Sequence, residues 1–178
     1  MGFKVGDKVI YPNHGIGVVE AINQRVFDGS QLEFYQVRLH ENNVVVNVAV
    51  DKADEIGIRG LIKTNEGEKL LKLLSANFTT PPSDWKDRFK EFSEKMRTGD
   101  IFSVAEILKH LTYLSQSKPL SFREKRMLER ARFLVVTELA MVSNKAEDKV
   151  SEVVETALKK ACLKHEEEAA ARVATAAV

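Results

Sequence analysis

The spacing of apolar residues changes once along this chain, near residue 62, and that change limits the folds open to it. Before it, the segments "DKVIYP", "GVVEAINQRVF", "LEFYQVRLH" and "NVVVNVAV" are short and rich in Val, Ile, Phe and Tyr. The third alternates as a half-buried strand does, with Tyr35, Val37 and Leu39 on one face and Arg38 on the other. Asn13-His14-Gly15, Asp28-Gly29-Ser30 and Glu41-Asn42-Asn43 separate the segments, supplying residues that tolerate the positive φ of tight turns. Strands this short and this few predict a small, strongly bent barrel of the SH3 or Tudor kind over residues 1–62.

After the change the period is helical. Leu70, Leu71, Leu73, Leu74 and Phe78 suit a short helix, and Trp85, Phe89, Phe92 and Met96 form one stripe of a second. Gly99 is placed to end that helix and Asp100 to cap a third carrying Ile101, Val104, Ala105, Leu108 and Leu111. "SFRE" has the spacing of a capping box, opening a fourth helix with Leu128, Ala131, Leu134, Val135 and Val142 inward. Val150, Val153, Val154, Ala157, Leu158 and Ala161 predict a fifth, and the tail from about residue 166, "EEEAAARVATAAV", is expected to fray. The chain therefore reads as α+β in two modules: a β module over 1–62 and an all-α module of about five helices over 63–178.

A catalyst needs a nucleophile beside a base, a metal cluster or a phosphate cradle. Gly15-x-Gly17 lacks a third glycine and lies between strands, so it reads as a hairpin turn. Asp51 and Asp54 flank Lys52 on a turn and read as surface charge. One cysteine and four scattered histidines suggest neither a disulfide framework nor a metal site, and the expectation is no enzyme, no metal and no cofactor. The single cysteine, the start "MGFKVGDKV" and the lack of any long apolar run are those expected of a cytoplasmic protein without a membrane span.

Charge points to binding instead. The whole chain carries only +1, but residues 82–142 hold 12 basic against 9 acidic side chains, whereas residues 1–62 hold 6 against 8. Arg123, Arg126 and Arg130 share one helix face at i, i+3, i+7, with Lys125 and Arg132 beside it, and Lys86 and Lys90 are i, i+4 partners. Such a patch can meet phosphates, although interleaved Glu91, Glu94, Glu124 and Glu129 fit an ordinary solvated surface equally well. Trp85 is in register with a core stripe, yet it sits in the first turn where a side chain can overhang the helix end. Spacing leaves both readings open.

Three ordered motifs resemble the CarD/CdnL family of bacterial RNA polymerase-binding transcription factors. "FKVGDKVIYPNHGIGVVEAI" is similar to the family's opening; Trp85, Arg88 and Phe89 followed by Thr98-Gly99-Asp100 match its W-x-x-R-(Y/F) and (S/T)-G-D; "LSFREKRMLERAR" matches its L-S-x-x-E-(K/R)-(K/R)-M-L-x-x-A-R. The resemblance implies a Tudor-like module, shared with the transcription-repair coupling factor, that docks on the RNA polymerase β subunit partly by strand addition. Arg25, Val37, Asn47 and Ala49 match that interface; Asn47 and Ala49 depart from the arginine and proline found there in relatives. It also implies that the helical module contacts promoter DNA beside the −10 element, with Trp85 wedged in the minor groove at the upstream edge of the bubble. Lys86, Arg88, Lys90, Arg123, Lys125, Arg126 and Arg130 would contact the backbone, and Asp87 is a departure at a position often basic. The implied protein is a monomeric, non-catalytic initiation factor that stabilises the open promoter complex, ribosomal RNA promoters included. A polymerase-tethered adaptor whose helical part binds another protein is the alternative.

Overall fold

A computed structural model describes residues 2–176; Met1 and the last two residues of the expected frayed tail lie outside them. Five strands, β1 (Lys8–Tyr11), β2 (Gly15–Phe27), β3 (Ser30–Leu39), β4 (Val45–Ala49) and β5 (Arg59–Gly60), form one antiparallel sheet in the order β4-β3-β2-β1-β5. Phe27 pairs with Ser30 across Asp28-Gly29, whose φ angles of 46° and 79° fit the tight hairpin that these residues favour. A register shift between Val19 and Ala21 bends β2. Val9, Val19, Tyr35, Val37, Leu39 and Val48 line the inner face and pack on Ala53 and Ile58.

The sheet corrects the expectation of a closed barrel. Its outer strands β4 and β5 do not pair with each other. The chain leaves β4 through a 3-10 turn (Val50–Lys52) and a single helical turn, α1 (Ala53–Ile56), which fill the gap with side chains in place of ladder bonds. Only Gly60 and Arg59 of β5 pair with β1, too short a strand to complete a cylinder.

Five further helices follow: α2 (Thr64–Ser75), α3 (Trp85–Arg97), α4 (Ile101–Ser117), α5 (Phe122–Ser143) and α6 (Glu147–Ala176), six with α1 among the described residues. Asp100 caps α4 by accepting from Phe102 and Ser103 N–H, and Ser121 with Glu124 forms the capping box of α5. Leu70, Leu74, Phe92, Met96, Leu108, Leu111, Val135 and Leu158 join one core. α6 is helical to Ala176; alanine and glutamate are strong helix formers, and Arg172 pairs with Glu168 one turn away.

The sheet and the bundle meet through close backbone approach and one buried carboxylate. A Cβ on Gly99, at φ 72°, would lie 3.0 Å from the Gly57 carbonyl, which explains the glycine in "TGD". Arg59 donates from Nε to the Gly99 carbonyl at 2.8 Å and from Nη1 and Nη2 to Glu138 at 2.6 and 2.8 Å. The Ile62 N–H donates to the same carboxylate at 3.1 Å. Glu138 is 1% exposed, so these bonds compensate for burying its charge.

Candidate nucleic-acid interface and docking edge

The start of α3 is set by polar groups. Asp84 accepts from the N–H groups of Lys86 and Asp87 at 2.8 and 3.1 Å and fixes the first turn. Arg88, one turn on, is 1% exposed and reaches across to α5, donating from Nε and Nη2 to Glu124 Oε1 at 3.1 and 2.5 Å. Its Nη1 donates backwards to the carbonyls of Pro82 and Ser83 at 2.5 and 3.2 Å. Glu124 also accepts from the Ser121 N–H and Oγ at 3.0 and 2.8 Å. Burial pushes the Glu124 carboxyl upward, but its bonds from Arg88 and Ser121 outweigh this and hold it below the usual carboxylate range. The first turns of α3 and α5 are thus tied through one ion pair.

This overturns Arg88 as a phosphate contact. Its guanidinium is committed to the interior, where removing it would strand a carboxylate and two carbonyls. Trp85, by contrast, leaves the core stripe and is 48% exposed, with the Lys86 ammonium 5.9 Å from its ring. Lys86, Lys90, Arg123, Lys125 and Arg126 are all exposed on the N-terminal halves of α3 and α5. Arg123 lies over Phe89 at 5.7 Å, and Arg126 over Phe122 at 5.7 Å. Arg130 is half-buried and pairs with Glu41 of the β3–β4 turn at 2.8 Å, so part of its charge is already satisfied. Between α3 and α5 runs an open groove of about 520 Å³, lined by Phe89, Arg97, Arg123, Arg126, Arg130 and Asn13. Arg97, Asn13 and Phe122 were not among the sequence candidates; only the aromatic directly before Arg123, four residues from Arg126, offered a signal.

On the sheet, side-chain parity sorts the other candidates. Ala49 pairs with Phe34, Phe34 with Asn23, and Asn47 with Gln36, all on the outer face. Arg25, two residues beyond Asn23, shares that face and holds its guanidinium 5.9 Å from the Phe34 ring. The structure therefore puts Arg25 of β2 on the same outer face as Asn47 and Ala49 of the edge strand β4, with β3 between them. Val37 does not join them. It is 1% exposed and points inward between Val19 and Val46, so its side chain is core and the expectation of a surface contact is corrected.

Among the described residues, no three His, Cys, Asp or Glu side chains are grouped to hold a metal ion, and no helix is long and apolar enough to cross a membrane. The molecule is thus a small sheet with an unpaired edge joined to a helical bundle that carries a cation-and-aromatic face. Residues 3–62 match the CarD-like/TRCF RID domain, and residues 69–155 match the CarD C-terminal domain. The chain belongs to the CarD family of transcription factors, which associates it with transcription regulation. It is similar to YdeB of Bacillus subtilis (strain 168), itself described as a candidate transcription factor, at 27% identity over 148 residues that span 83% of this chain and 97% of the relative.

Proposed function

We propose that the protein regulates transcription initiation by holding RNA polymerase with its sheet and promoter DNA with its helical bundle. The outer face around Arg25, Asn47 and Ala49, with the β4 edge, receives a strand of the polymerase β subunit; backbone bonds supply grip and the side chains supply fit. The bundle then lies over DNA upstream of the −10 element, with Lys86, Lys90, Arg123, Lys125 and Arg126 toward phosphates and Arg130 contributing what Glu41 leaves. Arg88 has no such part, and serves by fixing the helix start.

The observation that carries this reading is Trp85: a large indole, 48% exposed, on a turn made rigid by a buried ion pair and bordered by cations. A ring presented in this way can occupy a distorted step whose unstacking costs a few kcal/mol. Because it fits opened DNA better than paired DNA, it favours the open complex by that difference in affinity and no more. Few phosphate contacts give weak DNA binding alone, and the grip on polymerase offsets this by raising the local concentration of the bundle.

The test is Trp85→Ala in a promoter-opening assay with polymerase. The variant should fold, co-purify with the β subunit and lose the extension of open-complex lifetime. An unchanged lifetime with an unchanged footprint would refute the wedge; a footprint absent in both proteins would favour the adaptor alternative.

A further inference from the structure

Phe122 is 73% exposed, more than any other described aromatic residue whose side chain is placed, and belongs to neither core cluster. It begins α5 just as Trp85 begins α3, and the Arg88–Glu124 pair holds those two first turns together. The groove lined by Phe89, Arg97, Arg123 and Arg126 runs between the two helices that Trp85 and Phe122 begin. Arg126 lies 5.7 Å from the Phe122 ring and also lines the groove. One guanidinium is therefore within reach of both the ring and any anion in the groove.

We propose that Phe122 is a second nucleic-acid-contacting aromatic, stacking on an unpaired base while the groove arginines meet the phosphates of the same strand. The proposal rests on the DNA-binding reading above. The ring face needs a free base face, which a paired duplex does not offer, so the ligand is the separated strand of a fork. The local charge agrees. Arg130 is paired with Glu41, and exposed Glu129 and Asp87 lie among the exposed cations and offset part of their charge. With the positive field so reduced, stacking adds affinity that charge alone does not supply.

The experiment compares the full chain on a short paired duplex and on the same duplex with one frayed end, by fluorescence anisotropy at low salt. Phe122→Ala should lower affinity for the frayed DNA about tenfold and leave the paired duplex within about twofold. Phe122→Trp should retain the preference, and melting temperatures should be unchanged because the ring is exposed. If Phe122→Ala binds frayed DNA like the parent while Trp85→Ala does not, the role of Phe122 is overturned and the broader reading survives. Equal losses on both DNAs also overturn stacking on an unpaired base. If neither variant alters binding to either DNA, stacking by Phe122 is overturned together with the Trp85 wedge; if the parent binds neither DNA, the DNA-binding reading falls with it.

Discussion

Arg88→Ala separates two roles that have opposite signatures. The substitution removes four hydrogen bonds, two to Glu124 Oε1 and one each to the Pro82 and Ser83 carbonyls. It leaves Glu124 buried with only the Ser121 N–H and hydroxyl as donors. Breaking a buried pair from one side costs about 3–5 kcal/mol, because the remaining charge stays desolvated. For a chain of this size that is a fall of roughly 6 to 20 °C in melting temperature. Arg88→Lys should recover only part, since one ammonium cannot span a carboxylate and two carbonyls with the geometry of a guanidinium. Arg88→Ala combined with Glu124→Ala should cost less than the sum of the single changes. The assay is thermal denaturation by circular dichroism alongside the salt dependence of DNA binding. A phosphate contact would behave differently: melting unchanged, and the salt slope reduced by about 0.9. That second outcome would refute the structural role and return Arg88 to the DNA surface.

Glu138→Ala should destabilise by about 3 kcal/mol and expose the 57–63 connector to protease, because Arg59 and the Ile62 N–H lose their shared acceptor; undiminished protease resistance would contradict it. His110 gives a pH dependence. Burial, then Lys109 and Lys95, push it from 6.5 down to about 4, against Glu91 and the Thr79 backbone, which raise it. Its folded pKa lies below the unfolded one, so stability is full above pH 6.5 and declines as pH falls toward 4, by at most about 3 kcal/mol. Replacement of His110 by Phe should flatten that part of the denaturation profile. Arg25→Glu should leave melting unchanged, since the residue is outside the core, and reduce co-purification of the polymerase β subunit; undiminished capture would remove Arg25 from the docking face.

Legibility in the sequence followed the range of the interaction concerned. Strands, turns and helix caps depend on neighbours within a few residues, so Asp100, Ser121 and Glu124 could be placed from spacing. Barrel closure depends on whether β4 meets β5, a non-local matter decided by the detour through α1. Arg88 was misread because its partner is 36 residues away, and a cation near a tryptophan looks the same whether it faces inward or outward. Val37 differs, since the alternation of Tyr35, Val37 and Leu39 already assigned it inward, and the family match displaced that signal.

Trp85 marks the limit of periodicity itself. At i, i+4, i+7 and i+11 it shares its azimuth with Phe92 and Met96, both buried, yet it stands about 10 Å along the axis from Phe92. Period fixes the direction in which a side chain points and says nothing about how far the neighbouring helices extend. Where the apolar core ends, polar groups determine the geometry: Asp84 sets the turn, Arg88 ties it to α5, and the connector before it is held from behind. Phe78 in that connector stacks on His165 of α6 at 4.3 Å, and Thr80 bonds the same imidazole at 3.1 Å. His165 lies beyond residue 155, where the family match ends. The presentation of the indole thus depends on ionic and aromatic contacts from three helices, and any of them can loosen it without disturbing the core that periodicity describes.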